Sequence, residues 1–213
     1  MPADGHTTES DRGRRFRIEP LSLEHVDGAA GVISEALVAE PVTGAMFDLS
    51  DPRTREAHKR AIALQMRKAV EAGEPPLVAV EAGRVVGVAI ASRFGWRAMV
   101  RTARSWFRLI PRIRRSVWCL GSAAMPSRRV PRPYVLLDAL GVAPDAEGRG
   151  IGSALLEGVI EACAADQKCS GVYLQTASDR ARGVYERASF EVLEERSGAG
   201  LKVAHMFRRV RGD

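Results

Sequence analysis

The chain has 213 residues and no apolar run approaching the roughly 20 residues a bilayer-spanning helix needs. Its first residues, Met1 to Arg15, are polar and charged, so neither a membrane span nor a secretory signal is readable. Cysteine is scarce: Cys119, Cys163 and Cys169 are an odd number without CxxC spacing, and the four histidines are scattered. A disulfide framework and a zinc cluster are therefore both disfavoured, no metal is expected, and a cytoplasmic location fits best. Acidic residues are missing between Arg93 and Leu137, where eleven arginines stand. The net charge is +6, so the rest of the chain carries 6 less 11, or −5. One segment supplies the basicity.

What is present is ordinary for a globular protein: 46% hydrophobic and 27% charged residues, enough for a sizeable core. The length suits one domain with a tail or an insertion. Residues 1–14 read as a disordered leader and 15–213 as a single domain. Phe16 to Ile18 opens a first strand that Pro20 ends. Ser22 is a plausible cap for a helix with Val26, Ala29, Ala30, Ile33 and Leu37 on one stripe, and a loop containing Pro41 and Gly44 follows. Pro52 to Glu71 reads as a second helix facing inward through Ala57, Ala61, Leu64 and Ala69, stopped at Gly73. Leu77–Glu81 and Val85–Ser92 form a hairpin across Ala82-Gly83-Arg84. Tyr134–Val142 is apolar enough to be central in a sheet. Helix 152–165 turns Ala154, Leu155, Val159, Ile160 and Ala162 inward. Strand 172–176, helix 179–188 and two strands on either side of Gly198–Gly200 complete the chain. This order predicts an α/β (α+β) fold, a mixed sheet flanked by helices.

The sharpest motif is Val142-Ala-Pro-Asp-Ala-Glu-Gly-Arg-Gly-Ile-Gly-Ser-Ala-Leu-Leu156, a buried strand, a glycine-dense turn and an amphipathic helix. Gly148, Gly150 and Gly152 let the backbone reach conformations with positive φ and approach a ligand, so the N–H groups opening the helix point at one place. Such a turn suits a pyrophosphate, and Arg149 adds a charge if its side chain turns inward. A Walker A loop is excluded because the turn has no lysine. A GxGxxG dinucleotide turn is excluded because position 153 is Ser.

Taken with Leu140-Gly-Val-Ala-Pro144 and Val184-Tyr-Glu-Arg-Ala-Ser-Phe190, this turn resembles the GCN5-related N-acetyltransferases (GNAT), over about residues 16–210. The resemblance implies an N-acetyltransferase that moves an acetyl group from acetyl-CoA to an amine by direct attack in a ternary complex. It implies that Glu147, Gly148, Arg149, Gly150, Ile151, Gly152 and Ser153 cradle the pyrophosphate. Leu140, Gly141 and Val142 would bond the pantetheine arm where their strand splays from its parallel neighbour at 172–176. Tyr185 aligns with the tyrosine that protonates the leaving sulfur. Three departures stand out: Glu147 where Gln or Arg is usual, Ser178 where the helix-opening Asn often is, and Ser189 for a common Gly.

Asp138 interrupts an otherwise apolar strand, so it either meets an arginine or faces a cleft where desolvation would make it a base or part of a water relay. Cys163 and Cys169 read as a helix-core residue and a loop residue, without a nearby His to make either a nucleophile. Between the hairpin and the Asp138 strand, residues 95–133 are too long for a structureless loop. Arg97, Arg101, Arg104, Arg108, Arg112 and Arg115 fall on a helical stripe. This basic helical insertion reads as a solvated face or as a lid favouring an anionic acceptor, ahead of an arginine cluster for the CoA 3'-phosphate or contact with nucleic acid or a membrane. The acceptor is a small-molecule amine or a peptide, and the protein a monomer or homodimer. The alternatives are a non-catalytic acyl-CoA-binding or sensing module, and an anionic-surface binder acting through the arginine helix.

Overall fold

The computed structural model describes residues 15–93, 125–198 and 200–211. The proposed leader 1–14 and the arginine stripe Arg97–Arg115 lie outside the described residues. The elements are β1 (Arg17–Pro20), α1 (Val26–Ala36), α2 (Pro41–Met46), α3 (Pro52–Glu71), β2 (Leu77–Glu81), β3 (Arg84–Arg93), β4 (Val135–Val142), α4 (Ile151–Ala165), β5 (Gly171–Thr176), α5 (Asp179–Arg187), β6 (Glu191–Gly198) and β7 (Leu201–Arg209). The seven strands form one sheet in the order β1-β2-β3-β4-β5-β7-β6. All neighbours run antiparallel except β4 and β5, the parallel pair at its centre. The mixed α/β expectation therefore holds, with fewer parallel strands than antiparallel ones.

Each face of the sheet carries its own core. On one, α1 and α3 cover Val78, Val80, Val85 and Val88. On the other, α4 lays Ile151, Leu155, Leu156 and Val159 over Val86, Leu137, Val172 and Leu174. Two glycines let helices close in: a Cβ on Gly87 would lie 2.7 Å from Ile151, and one on Gly141 would lie 2.7 Å from Ala36 of α1. The hairpin turn is Ala82-Gly83, both at positive φ (48° and 78°), and Arg84 already pairs with Glu81. It is one residue shorter than the sequence reading, because a two-residue turn with left-handed residues matches the strand twist.

Several expectations are corrected. The loop after α1 contains the short helix α2, started by Pro41 and capped by Glu40, whose Oε2 accepts from the Thr43 N–H at 2.7 Å. The inward stripe of α3 is Thr54, His58, Ala61, Ile62 and Met66. Of the four positions expected there only Ala61 is buried, and Leu64 is exposed. Burial lowers the His58 pKa to about 4, so a neutral imidazole sits in that core. In α4, Cys163 is buried in place of Ala162. Cys163 and Cys169 form a disulfide, with Cα atoms 5.7 Å apart. The count of three cysteines disfavoured this, yet the turn from α4 into β5 brings these two together. Cysteine usage thus no longer argues for a reducing compartment. Within the expected helical insertion, residues 125–133 are loop and turn. No helix among the described residues is long and apolar enough to cross a membrane.

Candidate active site

The site begins where β4 and β5 part. Only Val135↔Val172 and Leu136↔Tyr173 pair across them, whereas β3 stays bonded to β4 as far as Val142. Beyond Leu136 the β5-facing edge of β4 has no strand beside it, so the backbone polar groups of residues 138–142 on that edge lack ladder partners. The opening is directly below the glycine turn. A short 3-10 segment, Pro144–Ala146, leads to Glu147 and then to Gly148 (φ 74°) and Gly150 (φ 77°), which caps α4. A Cβ at either glycine would meet nothing within 4 Å. Exposed space therefore lies over a helix start whose first N–H groups, on Ile151, Gly152 and Ser153, have no intrahelical acceptor. Open space and unpaired donors fit a phosphate group.

Charge around the turn is arranged in pairs. Arg149 does not turn inward; it grips Glu81 through both terminal guanidinium nitrogens, at 3.0 and 2.5 Å, holding that carboxyl below its usual range. The Glu147 carboxylate, a like charge beside any phosphate, is met by Arg180 of α5 at 2.8 Å. That pair joins the ends of the two diverging strands. Neither partner was singled out from sequence, since Glu81 and Arg180 stand 68 and 33 residues from the arginine and glutamate they meet.

Asp138 lies on the face covered by α1 and α3. The registers Ile90↔Ala139 and Ala91↔Leu137 leave it as the extra residue of a β-bulge, a device that re-aims a side chain. Ser92 donates to its Oδ2 at 2.7 Å. Solvent reaches the residue, yet enough protein surrounds the carboxyl to desolvate it. Desolvation pushes its pKa up to about 6, the Ser92 bond opposing. No arginine pairs with it among the described residues.

Tyr185 lies on the opposite side, in α5, and packs with Leu140 and Val142 against the α4 core. The chain end of α5 holds it: Phe190 N–H bonds Tyr185 C=O, Ser189 N–H bonds Glu186 C=O, and the two aromatic rings lie 5.8 Å apart. This is a Schellman motif with its apolar contact, and it gives the Val184–Phe190 motif a structural cause. Burial raises the phenol pKa to about 12, with the Glu40 carboxylate adding to the effect. Ser178 caps α5, its Oγ accepting from the Ala181 N–H at 3.3 Å. Gly141 turns its Cα toward α1, so only its backbone is available to a ligand.

The profile of the Acetyltransferase (GNAT) family matches residues 43–190, more than half of the chain. The chain belongs to that family. GNAT members are acyltransferases, and the strand parting and glycine turn fall within the matched segment. No curated protein sequence matches this GNAT chain. Among solved structures it is similar to one described as a histone acetyltransferase and related acetyltransferase from Corynebacterium glutamicum: 24% identity, TM-score 0.64, 90% of this chain and 94% of that one. It is also similar to the polyamine N-acetyltransferase of Drosophila melanogaster that forms N-acetylagmatine, at 18% identity and TM-score 0.61, covering 91% and 99%. A third is the ribosomal-protein-alanine N-acetyltransferase of Brucella melitensis, at 18% and 0.56, covering 90% and 98%. At such identities the likeness establishes a shared fold.

Proposed function

We propose that this GNAT protein transfers an acetyl group from acetyl-CoA to the nitrogen of an amine, by direct attack in a ternary complex. The observation that carries the reading is the parting of β4 and β5 beneath the left-handed Gly150 turn. It offers a missing strand's hydrogen-bonding edge and an anion site in one line. In this reading Leu140, Gly141 and Val142 bond the pantetheine amides through their backbones. Residues Glu147 to Ser153 hold the pyrophosphate, and Ser178 borders the channel from the cap of α5. A cytoplasmic location belongs to the same proposal.

A thioester lying in the gap is reachable from both faces of the sheet. The amine comes from the Asp138 face, and having lost its ammonium proton to water it attacks the thioester carbonyl with its lone pair. As the C–N bond forms, the nitrogen becomes acidic and gives a proton to Asp138. The C–S bond breaks and the thiolate takes the phenolic proton of Tyr185. A phenol with a pKa near 12 carries that proton at every working pH. Asp138 then returns its proton to solvent, and Tyr185 recovers one.

Calorimetric titration of acetyl-CoA tests the donor site. Wild type should bind saturably, and Gly152→Glu should not, since the new carboxylate enters the cradle. Gly152 has a negative φ, and its Cβ would meet only Val142 at 3.6 Å, so this variant should fold. Gly150→Glu blocks the same space, but it forces a side chain into a left-handed position. A wild-type protein that ignores acetyl-CoA would sink the acetyltransferase reading.

A further inference from the structure

The face that carries Asp138 also carries a buried polar group that the transfer described above does not use. Tyr173 and Gln175 point to this face, because Val172 and Leu174 between them belong to the α4 core. The Tyr173 hydroxyl is buried among three partners: Ser127 N–H at 3.2 Å, Gln175 Nε2 at 2.9 Å and His205 Nδ1 at 2.5 Å. A phenol has one proton to give and two lone pairs to receive with. The Ser127 backbone can only donate. Gln175 Nε2 donates to the hydroxyl as well, so both lone pairs are filled. The phenol proton then goes to His205 Nδ1. The carboxamide is thereby fixed: Nε2 turned to Tyr173 and Oε1 left as an acceptor, with no partner among the described residues.

Position makes that oxygen useful. Gln175 is the one residue of β5 that is not buried. Counting two residues on from the Leu136↔Tyr173 pair brings Asp138 and Gln175 to the same level on the two diverging strands, on the same face.

We propose that Gln175 binds the acceptor together with Asp138, its carbonyl oxygen and the Asp138 carboxylate receiving the two N–H groups of a primary amine. The proposal rests on the acetyltransferase reading. A neutral primary amine has a lone pair for the thioester carbonyl and two N–H groups. One becomes the proton passed to Asp138. The other stays on the product amide and remains bonded to Gln175 throughout. A secondary amine has one N–H, which Asp138 must take, so the Gln175 oxygen is left buried against an alkyl group. That selects primary amines by roughly tenfold or more. Tyr173 acts as a positioning residue, since it touches the amide and not the amine, and His205 acts through the Tyr173 hydroxyl.

Two measurements test this. Carbon-13 NMR titration of the Asp138 carboxyl, which needs no acceptor, compares wild type with Gln175→Glu. A second carboxylate at the same level should raise the Asp138 pKa by about one unit; an unchanged value overturns the proposal, because the side chains then do not face each other. Steady-state rates with benzylamine and N-methylbenzylamine should show wild type preferring the primary amine in kcat/KM. Gln175→Leu should bring that ratio close to one, and Tyr173→Phe part of the way, with acetyl-CoA affinity unchanged. A ratio that survives Gln175→Leu counts against the proposal. Failure of wild type to bind acetyl-CoA at all would instead remove the transferase reading, which the titration does not depend on.

Discussion

Asp138 and Tyr185 have pKa values displaced upward by burial, and each displacement has a consequence. With a carboxyl near 6, turnover should show an inflection at about 6, below the further rise that deprotonation of the amine itself gives, and Asp138→Asn should lower the rate and remove that inflection. The linkage works against the fold. A carboxyl whose folded pKa exceeds its unfolded one favours the native state when protonated, so stability falls as pH rises from about 4 to 6. Asp138→Asn should therefore melt higher than wild type at pH 7.5 while turning over more slowly, as expected of a group kept for function. Tyr185→Phe removes the proposed proton donor and should reduce kcat about 100-fold with acetyl-CoA affinity kept. A protein that only senses acyl-CoA has no turnover to lose. Asp138 was visible in the sequence as a polar break in an apolar strand. Its partner Ser92 was not, because it stands 46 residues away and a bulge decides the meeting.

Among the elements, the glycine turn was the most legible, since the need for positive φ at Gly148 and Gly150 is local and only glycine meets it freely. The same logic exposes Ser189, noted from sequence as standing for a glycine and found at φ 62°. A left-handed L-residue costs about 1 kcal/mol, so Ser189→Gly should stabilise the protein by roughly that amount in chemical denaturation. The α5 cap and Tyr185 should keep their geometry. Elements marked by punctuation and periodicity came out within about three residues, the widest gap being the strand read as Phe190 to Glu195, which runs to Gly198. Those missed had mixed signals: Pro41 and Gly44 read as loop although Glu40 and Pro41 can open a helix, and the inward face of α3 carries Thr54 and His58, which a hydrophobic count does not see. The parting of β4 from β5 was an implication of family resemblance, because strand pairing is non-local and the residues of neither strand specify where it ends. Gln175 carried no signal at all; its orientation comes from the Tyr173 hydroxyl to which its amide donates.

At the scale of the molecule, the sheet is two sub-sheets, β1 to β4 and β5-β7-β6, joined edge to edge by two residue pairs. The packing of α4 spans the join, touching β1, β2, β3, β4 and β5, and the Glu147–Arg180 pair crosses its open end. Hydrogen exchange at the β5-facing edge of residues 138–142 should therefore be as fast as at the outer edges of β1 and β6, unlike the rest of the central strands, and acetyl-CoA should slow it there more than anywhere else. Pulled apart in a force-spectroscopy experiment across β4 and β5, the protein would tear along this seam as paper does along a perforation. A bound donor, stitched to the loose edge, would raise the rupture force, so that substrate also serves as mechanical reinforcement.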